Sequence, residues 1–200
     1  MSAYIQDVPG FFSGLMVVLF GIIGGFGQLD QAWKIWTKDD KSVSLIWTMT
    51  FTVMFAGFIV QGLATKDYVM QFQGIIRCML YVPIIAGMGI SGYRMRKSEA
   101  LLYLVLGSVL LMMILHDEWR SVLFQALGYT GVAMTCHQPY LIFRNKKRGS
   151  VSIGMITTYN LSVICWMVYA LWFGNMSLFF LFAAFCAVYT ATMILWVKYP

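Results

Sequence analysis

The sequence places one fixed cation and a few amides inside stretches that are otherwise apolar. Arg77 stands near the middle of such a run, with Gln73 one helical turn before it. A bare cation at the centre of a membrane helix costs about 3 kcal/mol on insertion scales, so it must face protein, water or a partner. Its rigid fork of donors suits a carboxylate or a phosphate. Snorkelling toward the headgroups roughly nine residues away is the other reading, and both stay open. Asn160, beside Tyr159, sits in the middle of another apolar run. A buried amide there either joins two helices or belongs to a polar site. Asp30, flanked by Gln28 and Gln31, could exchange a proton or pair with Lys34 on the same helix face. His137, followed by Gln138 and Pro139, could also exchange protons near neutral pH.

Other chemistry is thinly represented. The apolar runs hold no paired carboxylates and no metal-ligand cluster, and no phosphate loop or dinucleotide signature occurs. We therefore expect no catalysis, no cofactor and no bound metal. His116, Asp117 and Glu118 form the densest polar group, and a loop with a helix cap explains them better than a metal site. Cys78, Cys136, Cys165 and Cys186 all fall in apolar runs, which favours packing over a disulfide framework.

The elements that must position these residues are membrane helices. Of the 200 residues, 60% are hydrophobic and 11% are charged. Soluble domains carry roughly a quarter of their residues as charges. The charges cluster between apolar runs of about 20 residues, the length that spans a bilayer as helix. Seven runs follow: Phe11–Trp36, Ser42–Ala64, Tyr68–Ile90, Glu99–Leu115, Ser121–Phe143, Ser150–Trp172 and a last one from the turn at Ser177 to Trp196. The expected fold is all-α and polytopic. Eleven of the fourteen basic residues fall in alternate loops, on one side. That bias puts the N-terminus outside and the C-terminus in the cytoplasm of a cell inner (plasma) membrane. It also reads the net charge of +6 as a topology and lipid-headgroup signal, with nucleic acid not among the partners.

The chain also repeats itself. Gly21, Gly24 and Gln31 return as Gly128, Gly131 and Gln138, 107 residues on. After one extra residue in a turn the offset becomes 108. Ser42-Val43-Ser44 then matches Ser150-Val151-Ser152, Thr52 meets Asn160, Phe58 meets Trp166, Gly62 meets Ala170, Asp67 meets Asn175 and Tyr81 meets Tyr189. Two triple-helix bundles, 11–90 and 121–198, are expected with a linker, 91–120, that carries the fourth helix. Three spans plus one make the two bundles parallel. Paired repeats around a midplane site are a common transporter plan. The repeated glycines let helices approach closely in lipid.

The segment His137–Ser152, HQPYLIFRNKKRGSVS, resembles the PQ-loop motif of the PQ-loop and SWEET superfamily, and Asp30–Ser44 resembles it more loosely. Neither copy has the proline before the glutamine, and Asp30 and His137 stand there instead. The 3+1+3 layout is similar to that family's over nearly the whole chain. SVSLIWTMTF, with KDYVMQFQG after it, also resembles small membrane domains linked to lipid-A modification. The first resemblance implies a transporter or facilitator for a small polar solute, such as a sugar, an amino acid or a small organic anion. It would work by alternating access through a cavity between the two repeats. Arg77, Asn160, Trp166, Gln73, Thr52 and Phe58 would bind the solute. Asp30, Gln31, His137, Gln138 and Pro139 would serve gating or proton coupling. A receptor or accessory protein on the same scaffold is the alternative, followed by a lipid-modifying enzyme. The partners are then the solute and membrane lipids, with homo-oligomerisation left open.

Overall fold

The structure, a computed structural model, describes residues 8–38, 45–90, 95–147 and 153–199. The paired Ser-Val-Ser segments and Lys41, Arg94 and Arg148 lie outside the described residues. Within those residues the chain forms seven helices: α1 (Val8–Lys38), α2 (Leu45–Thr65), α3 (Tyr68–Ile90), α4 (Lys97–Leu115), α5 (Asp117–Asn145), α6 (Ile153–Trp172) and α7 (Met176–Lys198). The apolar runs locate all seven, and each end moves by four residues or fewer.

Six of these helices are long and apolar enough to cross a membrane. The exception among the described residues is α5. Its 29 residues would reach about 43 Å at the α-helical rise, which is ample. Gln125, Thr130, Thr135, His137 and Gln138 dilute its apolar character. Polar residues are tolerated at membrane depth where they face protein instead of lipid. Thr135 is indeed buried, while the large apolar side chains Val122, Tyr129 and Phe143 of the same helix are exposed.

The repeat is visible in atomic detail at the α2–α3 and α6–α7 turns. Lys66 takes a left-handed backbone (φ 57°), and 108 residues later Gly174 does the same (φ 67°). The Asp67 N–H donates to the Gly62 carbonyl at 2.8 Å, and the Asn175 N–H donates to the Ala170 carbonyl at 2.8 Å. The Asp67 carboxylate accepts from the Met70 N–H at 3.0 Å, and the Asn175 side-chain oxygen accepts from the Leu178 N–H at 3.0 Å. Each side chain satisfies a donor that the first turn of a helix leaves over.

Buried faces repeat as well. Met70, Gln73, Gly74, Arg77 and Ile84 on α3 correspond at an offset of 108 to Leu178, Leu181, Phe182, Phe185 and Thr192, the buried residues of α7. On the first helix of each repeat, Val17, Gly21, Gly24 and Gln28 correspond at 107 to Phe124, Gly128, Gly131 and Thr135, all buried. Glycine allows close approach where it is needed. At Gly74 a Cβ would lie 2.7 Å from the Phe55 carbonyl oxygen of α2, so α3 reaches α2 backbone to backbone only without a side chain there.

Contacts divide the chain into two compact units. Residues 25–131 form one, and the chain before and after them forms the other. The two cuts fall in α1 and α5 just after Gly24 and Gly131, which are repeat-equivalent positions. In the first unit α2 packs on both α3 and α4, and in the second α6 packs on α7. Glu99 starts α4 by accepting from the Arg96 N–H at 2.7 Å. At the end of α5 the Lys146 ammonium lies 3.9 Å from the Phe143 ring centre and donates to the Tyr199 hydroxyl at 2.9 Å. That hydrogen bond holds the Tyr199 phenol below its ordinary pKa.

Candidate functional site

The buried face of α3 carries the polar residues that the apolar run makes conspicuous. Its buried positions recur every three or four residues, the spacing of one helix face. Gln73 and Arg77 are neighbours on that face, with 2% and 5% of their surface exposed. Arg77 therefore does not reach toward headgroups. Its Nη1 donates to Oε1 of Gln28 on α1 at 3.2 Å. Its guanidinium carbon also lies 5.8 Å from the centre of the Phe55 ring on α2, within reach of a cation–π attraction. Three helices of residues 25–131 thus converge on one cation.

Composition alone does not separate Gln28 from the other polar side chains around Asp30. In the fold it is 1% exposed. A signal is nonetheless present, because Val17, Gly21, Gly24 and Gln28 lie on a single α1 face. A second contact lies farther along the same two helices, where the Trp36 indole N–H donates to the Pro83 carbonyl at 2.8 Å. Both contacts advance together along α1 and α3, so the helices run side by side in the same direction.

The other candidates of this unit are apolar or locally satisfied. The Thr52 hydroxyl donates to the Thr48 carbonyl one turn back at 2.8 Å. The Thr52 carbonyl is also within 3.6 Å of the Cys78 sulfur. Phe58 is buried, edge-on to Phe124 at 5.0 Å. Thr48 and Thr50 are buried polar residues that nothing in the sequence pattern sets apart.

In the other unit Asn160 joins α6 to α7. Its Nδ2 donates to the Thr190 hydroxyl at 3.3 Å and approaches the Met193 sulfur at 3.6 Å. Its Oδ1 is buried and has no hydrogen-bond partner among the described residues. Trp166 is buried and stacks on Phe182 at 4.9 Å with an interplanar angle of 10°. Of the expected gating residues, Asp30 and Gln31 lie on α1 with side chains outside the described residues. His137 is exposed, and its ring lies 6.4 Å from that of Tyr140, while Gln138 and Pro139 are half-buried. All four cysteines are free thiols.

The backbone arrangement matches a solved structure. A eukaryotic SWEET transporter superposes with a TM-score of 0.76 at 11% identity, covering 96% of this chain and 97% of that one. The chain has a SWEET-like fold. No protein-family model matches it, and no curated protein does. The likeness in fold therefore comes with little likeness in sequence. The likeness in fold agrees with the six helices that are long and apolar enough to cross a membrane.

Proposed function

We propose that this chain is a transporter that moves a small polar solute across a membrane by alternating access of its two three-helix bundles, 11–90 and 121–198, with 91–120 as the linker. The observation that carries this reading is the buried cation. Arg77 is held by Gln28 at membrane depth, where a cation with no task is costly. The SWEET-like fold supports it, since the solved structure of that fold is a transporter. Gln73, Arg77, Thr52 and Phe58 contribute to solute binding from one repeat, and Asn160 and Trp166 from the other. The buried Oδ1 of Asn160, without a partner among the described residues, is an acceptor available to a solute hydroxyl or amine. Asp30, Gln31, His137, Gln138 and Pro139 belong to the gate or to proton coupling. The membrane is a cell inner membrane, with the N-terminus outside.

Uptake into liposomes tests this, using the purified protein and a panel of sugars, amino acids and carboxylates. Uptake of at least one solute above empty liposomes is expected, with a loss in Asn160→Ala or Arg77→Gln. Full uptake in both variants would remove the central site from the mechanism. A response to a pH gradient that disappears in Asp30→Asn would assign proton coupling to that carboxylate.

A further inference from the structure

We propose that the ends of α5 and α7 form a binding site for an anionic phospholipid, whose phosphate is held by Arg144, Lys147 and Lys198. This rests on the membrane placement of the transporter reading and on no particular solute.

Charge is the first observation. All eight acidic residues lie at or before Glu118. Residues 119–200 hold six basic side chains and no acidic one. Arg144, Lys146, Lys147 and Lys198 stand at the ends of α5 and α7. The corresponding turn of the first repeat, Lys38–Lys41, carries Asp39 and Asp40 between its lysines. The second copy lacks that built-in counter-charge. Helix ends change the balance little. The C-termini of α5 and α7 each offer about half a negative charge, and the N-terminus of α6 returns about half a positive one. The ion pairs among the described residues, His116 with Glu118 and Arg120 with Asp117, are at the other end of α5.

Aromatic contacts bring the cations together. Lys146 donates to the Tyr199 hydroxyl at 2.9 Å and lies 4.7 Å from the centre of that ring. Lys198 lies 5.6 Å from the same ring centre. The end of α5 is thus pinned to the end of α7, with two ammonium groups around one ring. The Lys146 hydrogen bond lowers the Tyr199 pKa, and the charges of Lys146 and Lys198 push it the same way. Arg144 gives one donor to the Tyr140 hydroxyl at 3.3 Å, a neutral acceptor that leaves its charge in place. Lys147 follows the last turn of α5 and is exposed.

Depth and surroundings favour a lipid over a soluble anion. α7 has 23 residues, about 34 Å at the helical rise, against a hydrocarbon core of about 30 Å. Lys198 at its end therefore stands at headgroup level. Phe143, next to Arg144, is 54% exposed. Ile194 and Val197, on the α7 face that leads to Lys198, are 62% and 71% exposed. Cations beside exposed apolar side chains match a phosphate joined to acyl chains. Arg144 suits that phosphate through its donor fork, and the two lysines suit it as point charges.

The test counts bound lipid and reads stability. Wild type in nonionic detergent is titrated with phosphatidylglycerol, phosphatidylcholine or inorganic phosphate. Native mass spectrometry follows retained lipid, and thermal unfolding is measured in parallel. The triple variant Arg144→Gln/Lys147→Gln/Lys198→Gln is treated alike. So is a control, Lys66→Gln/Lys97→Gln, whose cations lie in the other unit. Flotation of wild type with phosphatidylcholine vesicles after an alkaline carbonate wash reports membrane insertion by itself. We expect phosphatidylglycerol to be retained and to raise the unfolding temperature. The triple variant should bind it about a hundredfold more weakly, roughly fivefold for each cation removed, and the control should bind it as wild type does. If the triple variant is not monodisperse, Lys147→Gln alone, past the helix end, should show the loss of roughly fivefold. No retention of phosphatidylglycerol, or equal retention of phosphatidylcholine, would overturn the proposal. So would wild-type binding in the folded triple variant or in Lys147→Gln. Equal stabilisation by inorganic phosphate would overturn it in favour of a soluble anion. Any of these results, with wild type still floating, would leave the membrane placement standing. Wild type that washes off the vesicles would remove that placement and the lipid site with it.

Discussion

Arg77 owes its placement to the residue that accepts from it. In lipid no water is at hand to solvate a guanidinium, so each N–H needs a protein acceptor or a π face. Gln28 and Phe55 supply one of each. Replacing Gln28 by Leu nearly keeps the volume and removes the acceptor. The expected cost is about 1–3 kcal/mol, the penalty for stripping a partner from a buried charged group. Denaturant unfolding in detergent measures it, and an unchanged midpoint would mean that the bond contributes nothing. Arg77 and Asn160 were legible in the sequence because a charge or an amide inside an apolar run has no cheap explanation. Gln28 was not. Asp30, Gln31 and Lys34 follow it toward the end of α1, where solvent explains a glutamine equally well.

At the scale of elements, the two inter-helix turns are one design executed twice with different residues. Lys66 and Gly174 share a left-handed backbone, which an L side chain adopts at a cost of roughly 1–2 kcal/mol. Gly174 has open space around the position a Cβ would take, so the cost of Gly174→Ala is one of backbone conformation alone. We expect Gly174→Ala to destabilise by about 1 kcal/mol, and Lys66→Gly to stabilise by a similar amount. Thermal unfolding of both variants checks this, and shifts of the same sign would refute it. The helices themselves were legible from apolar runs bounded by charge clusters. Their faces were not, because a membrane helix is apolar on its lipid side and its protein side alike. The fold tells them apart by bringing Gln73 and Arg77 to the face that Leu181 and Phe185 occupy in the other repeat.

For the whole molecule, the distribution of basic side chains is what the proposed orientation rests on. Arg144, Lys146 and Lys147 gather at the end of α5 and Lys198 at the end of α7, while Glu118 stands at the start of α5. In the proposed orientation, which follows the positive-inside bias, the first group faces the cytoplasm. In a cysteine-free background, Glu118→Cys should react with a membrane-impermeant maleimide on intact cells. Lys147→Cys should react only after permeabilisation. The reverse pattern would invert the proposed topology. The 3+1+3 plan was legible because the offset changes only once, in a turn. The division into compact units was not, because it cuts through α1 and α5 and no composition change marks either cut.

That division bears on how the protein is made. The unit of residues 25–131 is continuous, so its internal contacts need nothing translated after residue 131. The other unit is assembled from both ends of the chain. The first half of α1 precedes residues 132–200 in translation and waits until they arrive. Its glycine-lined face, with Gly21 and Gly24, stays without its final neighbours throughout that interval. The unit that holds the first half of α1 is therefore completed after the 25–131 unit, once residues 132–200 have been translated.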